Sequence, residues 1–166
     1  GTAKKPTISS VVTASGSTLS TSDYTVTYEN NINAGTATVV VSGKGNFAGS
    51  TGSVEYTISK RPITLTAGSA SKEYDGTPLV SGVVTLTSGS LASGHTRTAT
   101  TAGSQTAAGS SANIVASYNI YNGDVDVTSN YAVTTVNGTL TVIATNYSVN
   151  GKYYTTLADA YAAITE

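Results

Sequence analysis

Apolar and polar residues alternate along much of the chain, and a period of two is typical of β-strands. The segment 23–28 alternates strictly, and Val54, Tyr56 and Ile58 share one face of a further strand. The segment 36–42, rich in Thr and Val, is predicted as the strand between them. Runs rich in Gly and Asn at 29–35 and 43–52 separate them, and such runs favour turns. The first third of the sequence therefore predicts three strands joined by turns.

The hairpin that the sequence predicts most strongly joins the segments 131–136 and 139–143 through Asn137-Gly138. Asn-Gly supplies the two positive-φ positions of a type I′ turn, whose twist matches that of paired strands. In this register Val133 lies opposite Val142. Turn chemistry and hydrophobic pattern therefore predict the same hairpin.

The character of the chain changes after Ala144. Asn150-Gly151 predicts another hairpin within 147–154, and Thr156-Leu-Ala-Asp159 fits a capping box in front of a short helix. One apolar stripe is predicted for this helix, formed by Leu157, Tyr161 and Ile164. We interpret 145–166 as the start of a following domain that is truncated here.

A domain boundary is predicted at Ser59-Lys-Arg-Pro62, since Pro cannot donate to a sheet ladder and is tolerated at the start of a strand. Short sequence repeats on either side of this boundary support a duplication of one module. Asn33-Ala-Gly-Thr36 recurs as Ala107-Ala-Gly-Ser110, and Gly52-Ser-Val54 recurs as Gly138-Thr-Leu140. The predicted domains are 1–60, 61–144 and 145–166, with an inserted segment near 118–124 in the second.

Composition agrees with an all-β fold. The chain has 30 Thr, 22 Ser and 11 Tyr against 17 charged residues, and Thr and Tyr favour strands. We predict two tandem Ig-like modules of the β-sandwich type, followed by a short C-terminal hairpin-helix tail. A β-grasp-like arrangement with a short helix near Leu91 is the alternative.

Charge and cysteine content narrow the function classes. The formal net charge is -1, and eight scattered Lys and Arg do not form the basic patch that nucleic acid requires. The chain has no Cys, so it contains neither disulfides nor a thiolate metal site. It also lacks an apolar run long enough to span a bilayer, and we expect no membrane insertion in this segment.

Candidate chemistry is sparse. His95 is the only histidine, and we interpret it as a turn residue, because triads and zinc sites generally need partners that are missing here. Asp124 and Asp126 could converge on one face, but a solvated face is the preferred interpretation. A weak calcium site formed by these two residues with Asn122 is a minor alternative. We predict no catalytic residue, no enzyme activity and no cofactor.

Tyrosine offers the clearest candidate contact. Tyr118 and Tyr121 lie in the inserted segment, and exposed Tyr can stack on sugars or anchor a protein partner. The competing interpretation is that Tyr replaces Phe in the core, since the chain contains only one Phe. If a binding patch exists, the prediction places it at these two residues.

The second module resembles a known repeat family. The resemblance rests on the following segments: Lys72-Glu-Tyr-Asp-Gly-Thr-Pro-Leu79, Gly94-His95, Gly103-Ser-Gln-Thr-Ala-Ala-Gly-Ser110, Asp126-Val-Thr-Ser-Asn-Tyr131 and Gly138-Thr-Leu-Thr-Val142. These segments are similar to the glycine-rich, mostly-β repeats of the YDG/MBG type. Such repeats occur in tandem in large surface and secreted proteins of Gram-positive gut bacteria, and the resemblance carries over no functional residue.

The first module resembles a related bacterial Ig-like repeat, through the segments Asp23-Tyr-Thr-Val-Thr-Tyr-Glu-Asn-Asn31 and Gly43-Lys-Gly-Asn-Phe47. In that family a strand normally precedes the Lys-Pro found here at Lys5-Pro6. The resemblance therefore implies that the module lacks its opening strand, which leaves an unpaired edge or a rearranged one.

These resemblances imply a structural or adhesive role. We expect a stalk or spacer module of a large bacterial cell-surface or secreted protein, located outside the cell at the wall. The alternative is an adhesive module that binds a glycan or a host or matrix protein. Neighbouring repeats of the same chain are the other expected partners, and the module is expected to be a monomer.

Overall fold

The computed structural model describes residues 1–154 and 156–164. Thirteen strands, one α-helix and two single-turn 3-10 helices, Gly45–Phe47 and Thr128–Asn130, make up the regular structure of these residues. The strands are β1 (Tyr24–Glu29), β2 (Gly35–Gly43), β3 (Thr51–Ile58), β4 (Arg61–Ala67), β5 (Ala70–Glu73), β6 (Val84–Gly89), β7 (His95–Ala102), β8 (Gly109–Asn122), β9 (Val125–Asp126), β10 (Tyr131–Val136), β11 (Gly138–Ile143), β12 (Tyr147–Val149) and β13 (Lys152–Tyr154). The helix is α1 (Leu157–Ala162).

The chain folds into two compact units. The first contains Gly1–Arg61 with the short segments Ala92–Gly94 and Val127–Ala132, and the remaining residues form the second. The main division therefore falls between Arg61 and Pro62, inside the Pro-containing segment. The mostly-β character predicted from the sequence is confirmed.

The first unit is built on an antiparallel sheet in the order β1-β2-β3, which confirms the three strands predicted there. Its register pairs Tyr28 with Val39 and Val39 with Val54, and directly paired residues share a face of the sheet. The apolar residues of the three strands therefore line one face, with the exception of Val40, which pairs with Thr27 and Ser53 on the other face.

The N-terminal segment lies against this apolar face. The hydroxyl of Tyr56 donates to the carbonyl of Lys4 at 2.6 Å, and that of Tyr28 donates to the carbonyl of Pro6 at 3.1 Å. This cover is partial. Val39 is 8% exposed, but Val54 on the same face is 69% exposed.

The second unit contains two larger sheets. One has the order β10-β4-β6, and the other has the order β5-β11-β8-β7 with β9 paired to β8. β5 runs parallel to β11, whereas β8 is antiparallel to it. Both sheets contribute to the buried core of this unit, whose apolar members are Ile63, Leu65, Ala67, Ile120, Leu140 and Val142.

The predicted hairpin around Asn137-Gly138 is wrong. β10 pairs with β4, whereas β11 lies between β5 and β8, so the two strands belong to different sheets. Neither Asn137 nor Gly138 has a positive φ. A Cβ atom at Gly138 would collide with the carbonyl oxygens of Ala67 and Gly68. Glycine is needed at this position because another segment of backbone passes very close, and the chain crosses between sheets here.

The C-terminal hairpin and the helix cap are confirmed. Asn150 and Gly151 have φ of 49° and 78°, and they connect β12 to β13. Thr156 caps α1 by accepting a hydrogen bond from the amide of Asp159 at 3.1 Å. The predicted apolar stripe is exposed at all three of its residues, between 63% and 67%. Residues 155, 165 and 166 of the predicted tail lie outside the described residues.

The alternative of a short helix near Leu91 is wrong. Residues 90–94 contain no helix, and a turn at Ser93-Gly94 leads into β7. Gly94 has a φ of 77°, which allows the chain to reverse there.

A three-strand motif occurs in both units. Gly35 begins β2 and Gly109 begins β8, and both glycines have a φ of 135°. β2 lies between β1 and β3, just as β8 lies between β7 and β11. The structure therefore supports the sequence repeat at Gly35 and Gly109, because both glycines begin the central strand of the same three-strand motif.

The strand register corrects the second sequence repeat, which matched Gly52 with Gly138. Gly35 pairs with Ile58, and Gly109 pairs with Val142, so Ile58 and Val142 occupy equivalent positions. Counting back along both strands matches Tyr56 with Leu140 and Val54 with Gly138. The apparent match between Gly52 and Gly138 is therefore out of register.

Candidate binding face on strands β7 to β9

Polar side chains form a continuous surface on one face of β7, β8 and β9. The register pairs Thr96 with Tyr121, Thr98 with Asn119, and Tyr121 with Asp126. Because paired residues share a face, these side chains all point the same way. We call this surface the polar face, and its members are Thr96, Thr98, Thr100, Ser117, Asn119, Tyr121 and Asp126.

Hydrogen bonds between neighbouring strands fix several of these side chains. Asn119 Nδ2 donates to Asp126 Oδ2 at 3.0 Å. The hydroxyls of Thr100 and Ser117 lie 2.6 Å apart. Tyr121 is half-buried between Thr96 and Asp126, and the threonines of β7 on this face are exposed. The polar face thus presents one aromatic side chain among hydroxyl, amide and carboxylate groups.

The opposite face of β7 and β8 turns towards the core. Ile120 is fully buried there, and Arg97 Nη2 donates to the carbonyl of Val84 at 2.8 Å. Tyr118 pairs with Ala99 and lies on this inner side. The two tyrosines predicted as one contact patch therefore lie on opposite faces of β8, and the structure does not bring them together.

The predicted acidic residues lie at the end of the same hairpin. Asn122 pairs with Val125, and Gly123 and Asp124 form the turn between them. Gly123 has a φ of 59°, which the tight reversal requires. Asp126 contacts Asn119, whereas Asp124 lies exposed in the turn. Across residues 1–154 and 156–164, no three His, Cys, Asp or Glu side chains are grouped so as to hold a metal ion.

His95 is the first residue of β7 and pairs with Asn122. It follows the turn at Gly94 and is half-buried. This position agrees with its interpretation as a residue at a turn.

A close ion pair lies outside the polar face, in the turn after β5. Asp75 Oδ1 contacts Lys72 Nζ at 2.6 Å and accepts from the amide and hydroxyl of Thr77 at 2.9 and 2.8 Å. These hydrogen bonds, the one from Lys72 first, hold the pKa of the Asp75 carboxyl well below its usual range. Each contact is local and closes the turn after β5, so the arrangement is structural.

The sequence contains a signal for the polar face, because threonine occupies every second position of one segment. Residues 95–100 alternate strictly, which places Thr96, Thr98 and Thr100 on one side of a strand. Their pairing with β8 could not be predicted, since it depends on a long hairpin and on a register shift between Thr100 and Thr101.

Comparison with family models, curated proteins and solved structures finds no match. Within the described residues, no helix is both long enough and apolar enough to cross a membrane.

Proposed function

We propose that this chain is a structural spacer segment of a large bacterial cell-surface or secreted protein. The observation that carries the proposal is the repeated three-strand motif, in which Gly35 and Gly109 begin equivalent central strands with the same backbone angle. Tandem copies of one building block extend a protein by a fixed increment for each copy, which is what a spacer requires.

Surface chemistry supports the same role. The chain has few charges and many Ser and Thr, so its surface is hydrated while its long-range electrostatic field is weak. A segment of this kind can extend from a cell wall without attracting charged polymers.

Small-angle X-ray scattering tests the spacer proposal. The chain is compared with a protein in which two copies are joined head to tail. We expect the maximum dimension to rise by nearly one chain length. A maximum dimension that stays close to that of the single chain would contradict a spacer role. Labelling of intact producing cells with an antibody against the chain tests the proposed surface location.

The polar face favours a second candidate function, the recognition of a glycan. A half-buried Tyr121 offers a rigid ring for stacking, while Asn119, Asp126 and the threonines offer donors and acceptors for sugar hydroxyls. A partner on this face would contact Tyr121 and not Tyr118.

A glycan and matrix-protein screen tests this second function, with the two tyrosines as a matched pair. We expect Tyr121→Ala to abolish any saturable binding and Tyr118→Ala to leave it largely intact in protein that remains folded. Equal loss of binding in both variants would argue against the polar face as the site.

A further inference from the structure

The chain contains three Asn-Gly dipeptides, and the structure places them in different environments. Asn122-Gly123 lies in the turn between β8 and β9, and Asn150-Gly151 lies in the turn between β12 and β13. Asn137-Gly138 instead lies where the chain passes from β10 into β11, which belong to different sheets. The same dipeptide is therefore found in two hairpin turns and in one crossing between sheets.

Asn-Gly is the dipeptide in which an asparagine side chain reacts most readily with its own main chain. The nitrogen of the glycine attacks Cγ of the asparagine, so that an N–Cγ bond forms, the bond from Cγ to Nδ2 breaks and ammonia leaves. The attacking nitrogen gives its proton to solvent, and the product is a cyclic succinimide. Water then opens the ring at either carbonyl and yields aspartate or its β-linked isomer, isoaspartate. Glycine favours the reaction because it lacks a side chain and its backbone rotates most freely.

Two conditions decide whether a folded chain allows this attack. The N–H of the glycine must not be held in a sheet ladder, and the backbone between the two residues must be able to rotate. Both conditions concern the glycine, so exposure of the asparagine is not sufficient. The side chains of Asn122 and Asn137 are both exposed, which makes these two residues a matched pair.

Gly123 meets both conditions. Asn122 and Val125 form the last pair of the ladder between β8 and β9, and Gly123 lies beyond it. Within residues 1–154 and 156–164, the amide of Gly123 donates to no other backbone group. A Cβ atom at Gly123 would meet nothing within 4 Å, so the turn has space to rearrange. The nitrogen of Gly123 is therefore available to attack Asn122.

Gly138 meets neither condition. It pairs with Asn113 on β8. The amide of Thr139 donates to Ser69 Oγ, on the side of β11 away from β8, and successive N–H groups of a strand alternate in direction. The amide of Gly138 therefore faces β8. Gly138 is also buried against the backbone of residues 67–68, where a Cβ atom would collide. The nitrogen that would attack Asn137 is held in the sheet.

The third dipeptide resembles the first in its surroundings. Val149 and Lys152 form the last pair of the ladder between β12 and β13, and Asn150-Gly151 lies beyond it. Both residues are exposed, and a Cβ atom at Gly151 would meet nothing within 4 Å. Asn150 therefore provides an internal standard for a site in an exposed turn.

We propose that Asn122 is a site of spontaneous deamidation in the folded chain, and that the fold protects Asn137 from the same reaction. Deamidation adds one negative charge to the hairpin that carries Tyr121 and Asp126. The isoaspartate product also lengthens the main chain by one methylene group opposite Val125. Ageing of the protein therefore alters the charge and the strand pairing at the end of the polar face.

Peptide mapping by mass spectrometry tests the proposal on the full chain. The protein is incubated at mildly alkaline pH and physiological temperature, and the fraction of aspartate and isoaspartate at each Asn-Gly site is followed with time. We expect Asn122 to react at least about tenfold faster than Asn137, because reaction at Asn137 first requires local opening of the sheet. We expect Asn150 to follow Asn122. Equal rates at Asn122 and Asn137 in folded protein, or no product at Asn122, would overturn the proposal.

The same incubation in urea separates the effect of the fold from that of the sequence. In the unfolded chain Gly138 is released from β8 and from the backbone of residues 67–68. We expect the rates at Asn122 and Asn137 to converge there. A difference that persists in urea would mean that neighbouring residues in the sequence set the rates, and it would contradict protection by the fold.

Asn122→Gln is the matched variant, because glutamine keeps the amide but closes the corresponding larger ring much more slowly. We expect this variant to accumulate less of the acidic form that anion-exchange chromatography separates, whereas Asn137→Gln should accumulate as much as the parent chain. Circular dichroism establishes that both variants are folded. Unchanged accumulation in Asn122→Gln would place the modification elsewhere and contradict the proposal. None of these outcomes depends on the spacer or glycan proposals.

Discussion

The two units repeat one strand motif but differ in how that motif is covered. Leu140 and Val142 on β11 are 0% and 1% exposed, whereas Tyr56 and Ile58 at the equivalent positions of β3 are only half-buried. The second unit adds β5 beside β11 and places another sheet in its core, and the first relies on an irregular N-terminal segment. The same local strand pattern therefore supports very different burial.

The largest expected difference between the units is the loss of stability when an apolar side chain is truncated to alanine. Leu140→Ala removes a fully buried side chain, and we expect the free energy of unfolding to fall by about 2–5 kcal/mol. Val54→Ala is the control in the first unit, where 69% exposure predicts a change within about 0.5 kcal/mol. Urea unfolding monitored by circular dichroism measures both. Similar losses would mean that the two units are equally packed.

Added volume gives the next largest effect. Gly138→Ala pushes a methyl group into the carbonyls of Ala67 and Gly68, so we expect a loss of about 1–3 kcal/mol. Gly52→Ala meets open space at ordinary strand angles, and we expect a change between zero and a stabilisation of about 1 kcal/mol.

Thermal melts of the two glycine variants provide the comparison. An unchanged Tm in Gly138→Ala would show that β11 can shift away from the segment at Gly68. Glycine would then not be required at position 138 by a close backbone approach.

Gly138 and Gly151 show what the sequence can and cannot predict. Local strands and turns can be predicted from the sequence, because hydrophobic alternation and the preference of Asn-Gly for turns depend on a few neighbouring residues, as at Asn150-Gly151. The same dipeptide at Asn137-Gly138 predicted the wrong structure. A glycine required by a close backbone approach and a glycine required by a turn look identical until the long-range packing is known.

The polar face was partly predictable for the same reason. Tyr121 was identified as a candidate contact, and its neighbours on β7 follow a readable alternation. The grouping of Tyr121 with Tyr118 failed, because residues separated by three positions lie on opposite faces of a continuous strand. Recognising that the inserted segment extends one long strand was the missing step.

Hydrogen exchange of single amides would sharpen the comparison of the two edges. Thr141 is on β11, which lies between β5 and β8, whereas Thr57 is on β3, which pairs with β2 alone among the described residues. Gly43 donates to Ser50 and Thr57 lies an odd number of residues further along this continuous register, so the Thr57 amide points away from β2. We expect Thr57 to exchange at least about tenfold faster in the free chain, since an amide without a ladder partner opens at little cost. Nuclear magnetic resonance resolves both positions. Equal protection would indicate that the edge of β3 is already covered.

The smallest effect is expected from acid at the turn after β5, where Lys72, Thr77 and Asp75 are bound together. The pKa of Asp75 is lower in the folded chain than its ordinary value of 3.8, so the folded state favours the ionised carboxylate. This contribution is complete above pH 3.8 and is lost as the pH falls below that value. Asp75 is largely exposed and solvent screens the pair, so the effect on stability is small.

Asp75→Asn isolates this contribution. The variant should have a slightly lower Tm than the parent chain at neutral pH, and the difference should narrow as the pH approaches 2. A difference in Tm that stays constant down to pH 2 would mean that Asp75 stabilises the turn after β5 through packing and neutral hydrogen bonds, and not through its charge.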